Sequence, residues 1–600
     1  MDRSENVFSF SRLGMPLKQY ILIYQTKLNE ALDPPNTESI KACIAKVSEL
    51  GRAGRRISNE ISISTIRPIL LYSYSPLSYQ DLSSPALISG CLKIMSSLEL
   101  LDVVSPFSHE LGYACFRIIL LSLGLCLARR AHFLGFIDSN FDGDDPDTVW
   151  RSIAHLIKSV VLRTGDQLDD CALGWFNCPN HKLCSAIISL AEAKTLLRLI
   201  FNDRKRFIRA IRSTYVPGLP TLVYFMWKYV PTQRFSNDRA LAKELDTSLK
   251  EVFWRSWIVS TDDDRVALEA MANRDQRLLQ INKEDKGDCP IDNEDGNELI
   301  EILIDRLTQQ TLDPVRYKSF SLGDFSVFID FMAYRIFPTL CHARRSARCF
   351  GAIIEWLWGV LSNPDTCDAQ FNMVLGRATT WFSEAISENS KQTGQELDMR
   401  IIDEIINTDY FNLVGRSMLR LVPPFGDSHT SDRKINAMVF MGTRRVVRRI
   451  SKLAPVEALR QRFQIYVGDW WKVYVRLAFL SSEPLSTIPA LAMAQKELYE
   501  VCCNVWVLVA DVIQEPPDDR EYPDCHNLRC SNPTISSGVY YSCSSCHRGE
   551  YCSVRCQVKD WLNDYGSISH CVLCTAILIK YGAEMPTQFG ARVAVVSKGW

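Results

Sequence analysis

Between residues 525 and 574 the chain places eight metal-ligating side chains in four close pairs: Cys525-x4-Cys530, Cys543-x2-Cys546, Cys552-x3-Cys556 and His570-x3-Cys574. Zinc takes four soft or borderline ligands in a tetrahedron, and a short turn can supply two of them from one piece of backbone. Four pairs make two sites, so two zinc ions are expected. All eight positions are protein side chains, leaving neither ion an open position for water or substrate; such sites are structural, not catalytic. The segment has few large apolar residues and does not bury enough surface to fold unaided. Metal binding makes up the difference, with apparent values on the order of 10–16 kcal/mol for a structural zinc site in finger peptides. Buried or surface thiols would not need paired spacing at four successive points. His526, beside Cys525, and Cys571, beside His570, are competing ligands. Cys574 is preferred because His-x3-Cys puts both ligands on one face of a helical turn.

The string Tyr551-Cys552-Ser553-x-x-Cys556-Gln557-x-x-Asp560-Trp561, followed by His570-x3-Cys574, resembles the second half of a MYND-type zinc finger. It favours that family over another two-zinc cross-brace such as a RING-like finger. The resemblance covers about fifty of the 600 residues. It implies that Cys525, Cys530, Cys552 and Cys556 hold one ion, and Cys543, Cys546, His570 and Cys574 the other. It also implies a protein-interaction module that docks short proline-containing peptides, with Gln557 and Trp561 on the contacting surface. An indole face packs on a proline ring, and a Gln side chain can bond an extended backbone. The alternatives are that Trp561 plugs the finger's small core and that Gln557 is an exposed polar residue on a helix. Two departures from the family pattern stand out. The opening pair is spaced by four residues where two are usual, and eight residues separate Trp561 from His570 where about two are usual, so the chain loops out through Asn563-Asp564-Tyr565-Gly566.

Charge bears on the partner. With seven thiolates and two zinc ions counted, residues 525 to 574 carry a net −2, and the whole chain carries −1. Neither offers much to phosphates, whose neutralisation drives nucleic-acid affinity, so no nucleic acid and no membrane surface is expected as partner. A looser cluster, Cys171, Cys178, His181 and Cys184, runs into a helical stripe and reads as buried thiols before a further zinc site. Within it, Asn177-Cys178-Pro179-Asn180-His181 is similar, in scrambled order, to part of a SET methyltransferase motif, without an accompanying cofactor loop. Arg444, Arg445, Arg448, Arg449 and Lys452 lie opposite Val446, Val447 and Ile450, as on the solvated face of an amphipathic helix; Arg204, Lys205, Arg206, Arg209 and Arg212 read the same way. The acidic run Phe141–Asp147 lacks the ligand register of a calcium loop.

The elements that must carry this finger read as helices. Apolar residues recur at three- and four-residue steps in Phe350, Ile353, Ile354, Leu357 and Leu361, in Ala193, Leu196, Leu197 and Ile200, and in Val505, Leu508, Val509 and Val512. Alternating strand patterns are scarce. The fold class is therefore mainly α: a long all-α region of antiparallel helix pairs, then the small C-terminal finger. No repeat period is evident, which leaves a diverged helical-repeat array open. The expected divisions are a helical scaffold over 1–515 with a subdivision near 283–298, a linker over 516–524, the finger over 525–574 and a tail over 575–600. Pro516-Pro517-Asp518-Asp519 stops the last helix and keeps the linker wet. Further breaks are Pro34-Pro35-Asn36, the polar stretch Lys283–Asn297 and Pro423-Pro424-Phe425-Gly426-Asp427.

With 47% hydrophobic and 23% charged residues the chain can bury large cores. The apolar stretch Ile118–Ala128, bounded by arginines, is too short to cross a bilayer and reads as a buried helix. No secretory signal begins the sequence. Eight of the 21 cysteines fall in the finger, a distribution that suits reduced thiols inside a cell, in nucleus or cytoplasm. The expectation is a non-enzymatic zinc-binding protein that recruits a protein partner. Its layout is similar to that of fungal MYND-finger proteins. The rivals are a SET-and-MYND lysine methyltransferase, which needs a β-rich catalytic fold, and a transcription regulator.

Overall fold

In the computed structural model of the chain, helices begin at side-chain caps and continue along apolar stripes. The structure describes residues 12–27, 37–52, 61–73, 78–99, 105–134, 147–163, 173–175, 185–234, 239–279, 291–309, 317, 320–332, 343–363, 365–392, 395–426, 429–482, 486–513, 530, 541–543, 550–551, 554–562 and 570–571. Ser189 opens the helix Leu190–Asn202 by accepting the amide of Glu192, whose carboxylate in turn accepts the Ser189 amide at 2.9 Å. Ser321 and Asp324 repeat the arrangement at Leu322–Phe331. Each pair satisfies amides that a helix start leaves without intrahelical partners. Behind the first cap, Ala193, Leu196, Leu197 and Ile200 are all buried. The chain forms two units, Met1–Cys289 with Thr311–Lys318 and Pro290–Gln310 with Ser319–Trp600.

In the first unit, α1 (Thr37–Arg52) packs on α2 (Pro85–Glu99), and a Cβ on Gly51 or Gly90 would collide with a backbone carbonyl of the facing helix. The central α3 (Glu110–Arg130) is buried from Glu110 to Ala128. At 21 residues it is long and apolar enough by length and composition to cross a membrane, which corrects the shorter length read from Ile118–Ala128. The difference arises because Glu110 and Arg117 are buried as well, and Glu110 accepts two bonds from Arg67 at 2.7 Å each. α4 (Asp147–Leu162) lies against α5 (Asp262–Arg274), whose first turn is capped by Thr261.

The second unit opens with α6 (Asn293–Thr308), capped by Asp292. The last residues of the polar stretch Lys283–Asn297 are thus helical, not a break, and Asp295, Gly296 and Asn297 are buried there. Next come α7 (Ala343–Ser362), whose predicted stripe Phe350, Ile353, Ile354, Leu357 and Leu361 is fully buried, and α8 (Asp368–Gln392). They are followed by α9 (Gln395–Asn407), α10 (Tyr410–Met418), α11 (His429–Ile450), α12 (Val467–Ser482) and α13 (Pro489–Ile513). α8 and α11 approach closely at Gly376 and Gly442: a Cβ on Gly442 would run into Thr379, and one on Gly376 would lie 2.9 Å from Met438 Cβ. α12 and α13 are joined by reciprocal indole bonds, Trp470 Nε1 to the Trp506 carbonyl at 3.0 Å and Trp506 Nε1 to the Trp470 carbonyl at 2.9 Å. Among the described residues the only strands are β1 (Tyr541–Ser542) and β2 (Glu550–Tyr551), antiparallel with Tyr541 opposite Tyr551. The helix α14 (Val554–Leu562) follows.

Candidate metal centre

Four of the eight predicted ligands, Cys525, Cys546, Cys552 and Cys574, lie outside the described residues, as do His526, the linker 516–524 and the tail 575–600. Of the other four, Cys530, Cys543 and Cys556 are buried and His570 is half-buried. Among the described residues no group of three or more candidate ligands comes together. The four fall at two places.

The first pair is Cys543 and His570. A hydrogen bond to Cys543 pushes the His570 imidazole up from its ordinary pKa; burial works against the rise, and Asp560 adds to it. The ring is bounded by Tyr551, edge-on at 6.0 Å, and by Trp561 at 5.6 Å. Tyr551, on β2, donates to Asp560 Oδ2 at 2.7 Å, and that oxygen lies 3.9 Å from His570 Nδ1. The hairpin and α14 therefore hold the imidazole from both sides.

At the second place, Cys530 and Cys556 each act on a buried ionic cluster on α12. Lys472 is fully buried; its Nζ donates to Asp469 at 2.8 Å and to Cys530 Sγ at 3.7 Å. Asp469 also accepts from Asn412 Nδ2, on α10, at 3.0 Å. Burial pushes the Asp469 carboxyl up, Lys472 draws it back down, and the charge of Cys556 adds to the rise. Arg416, on α10, is pushed down by burial and by Arg420 and drawn up by Cys530. A second lysine ties α14 to the helices. Lys559 donates to the Asn407 carbonyl at 2.9 Å and lies 3.5 Å from Asp409, where α9 ends and the backbone turns left-handed (φ 57°). A cation is favoured at a helix C-terminus, where carbonyls are left over.

Buried thiols with one imidazole are a donor set that fits zinc, and an ammonium within reach of a sulfur fits a thiolate better than a thiol. Sequence reasoning missed Lys472, Asp469 and Asn412, and Lys559 entered it only within the net charge of residues 525 to 574. Nothing in their local spacing marks a residue that acts across 58 or 152 positions of chain.

Gln557, expected on the contacting surface, is only 9% exposed, which also departs from the alternative of an exposed polar residue on a helix. Trp561 is half-buried, and Cys571 is half-buried beside His570. Cys171, Cys178, His181 and Cys184 lie outside the described residues. On α11, Arg445, Arg448 and Arg449 are exposed and Arg444 is half-buried, Lys452 is exposed just beyond the helix end, and Val446, Val447 and Ile450 are buried opposite, the arrangement of a solvated face. No family model matches the chain, and no curated protein matches it.

Proposed function

We propose that residues 525–574 form a MYND-type finger holding two structural zinc ions, and that this finger, carried on a mainly helical chain, binds a protein partner through a short proline-containing segment. The observation that carries the reading is the placement of the four described candidate ligands, Cys530 against Lys472 with Cys556 acting on the adjoining Asp469, and Cys543 bonded to His570. Along the chain Cys530, Cys543, Cys556 and His570 alternate between these two places, which is the order of a cross-brace. Zinc, when bound, supplies the folding free energy of the segment and no reaction chemistry, because every position around it is a side chain. A thiolate-rich site persists where thiols stay reduced, which supports an intracellular protein.

Trp561 offers the accessible part of the peptide surface, an indole face beside the His570 ring. The net charge of −2 over the finger supports a protein partner over nucleic acid. Elemental analysis of the purified full chain should find about two zinc ions; one or none removes the reading. Zinc-loaded Trp561→Ala should lose capture of the proline-containing peptides that the wild type retains from an array. Undiminished capture would leave the zinc half standing and remove the peptide half.

A further inference from the structure

Resting on that reading, we propose that the zinc site of Cys530 and Cys556 is completed from the helical part of the chain: Lys472 donates a hydrogen bond to the zinc-bound thiolate of Cys530 and acts as the positioning residue that retains this ion. Lys472 is fully buried, and a buried ammonium is strongly disfavoured unless negative charge surrounds it. Asp469 provides one such charge at 2.8 Å, and the sulfur of Cys530, at 3.7 Å on the side of the finger, provides the next. Four thiolates around Zn2+ carry two net negative charges, whereas three thiolates and an imidazole carry one. With the ligand sets that the resemblance implies, the more anionic of the two sites is the one that meets Lys472.

Such a bond withdraws charge from sulfur. The thiolate becomes a weaker base toward protons and a weaker nucleophile toward oxidants, and these are the reactions by which zinc leaves a cysteine site. The lysine is also well anchored. It sits on α12, two residues from Trp470, whose reciprocal indole bonds with Trp506 fix that helix to α13. A polar partner outside the ligand set typically changes metal affinity about 10–100-fold when removed, provided a rigid element aims it. Lys559, bonded to the end of α9, fixes the finger at a second point and sets the register in which Cys530 reaches Lys472.

The test uses the full-length, zinc-loaded chain with Lys472→Met and with the double variant Lys472→Met/Asp469→Asn, which leaves no buried charge unpaired and keeps an acceptor for Asn412. Zinc release to a chromophoric chelator should resolve into one phase per ion in the wild type. In both variants one phase should quicken at least tenfold while the other keeps its rate. In the cobalt-substituted protein the sulfur-to-metal charge-transfer band should move to lower energy, a change that looser packing alone would not produce. Should Lys472→Met fail to fold, the double variant carries both measurements. Two bound zinc ions with both phases and the band at wild-type positions would overturn the proposal and leave the finger intact. Fewer than two ions in the wild type would overturn the metal reading itself and this proposal with it.

Discussion

His570 shows how much a single residue here depends on its neighbours. Tyr551, Asp560 and Trp561 enclose its ring, and Cys543 shares its hydrogen bond. Replacing His570 by Ala should release one zinc ion and keep the other, measured as metal content after gel filtration; loss of both would show the two sites to be a single cooperative unit. Trp470 and Trp506 invite a second substitution. Trp470→Phe retains an aromatic ring but removes the indole bond that ties α12 to the Trp506 carbonyl at 3.0 Å, while that carbonyl keeps its place in the ladder of α13. One net hydrogen bond is worth about 0.5–1.5 kcal/mol, so the denaturant midpoint of the second unit should fall modestly. Residue identity alone marks the eight candidate ligands of the proposed finger, because zinc chemistry imposes short, paired spacings. It could not announce Lys472, which sits in the run Asp469-Trp470-Trp471-Lys472-Val473 and reads locally as one polar position on an amphipathic helix.

At the scale of the element, the 3.6-residue stripes were readable because burial on one face imposes that period, and Phe350, Ile353, Ile354, Leu357 and Leu361 are all inside. Helix pairing was not readable in the same way. A glycine within a helical pattern looks like a weak point, yet Gly376 and Gly442 are where α8 and α11 approach most closely. Gly442→Ala should gain helix propensity and still lose stability, by about 1–3 kcal/mol, because the new methyl meets Thr379. A raised melting temperature would mean that the crossing is looser than the structure indicates. The onset of α6 at Asn293 was also hidden, since its acidic first turn resembles a solvated linker until the burial of Asp295 is known.

Over the whole molecule, the two units differ in where their ionisable groups lie. In the first unit Asp264, at the start of α5, has its pKa pushed up to about 7 by burial, with Asp263 and Asp147 adding to the rise against the Thr261 hydroxyl. Its unfolded value is 3.8, so between these values the native state binds the extra proton. The contribution to stability is fully present below 3.8 and is lost as pH rises through about 7. Asp264→Asn should therefore melt higher than the wild type at about pH 8 and no higher at about pH 4. A gap independent of pH would mean that Asp264 ionises normally. In the second unit Cys546→Ser should release one zinc while helical circular dichroism persists, since the helices α6 to α13 carry their own apolar stripes. Chain order adds something to the buried contact between Lys472 and Cys530. A ribosome completes α12 before it makes the cysteine that lies 58 residues further on. Until that cysteine arrives, the ammonium lacks one of its described partners, so on the proposed reading zinc supply would bear on the maturation of the newly made helical unit.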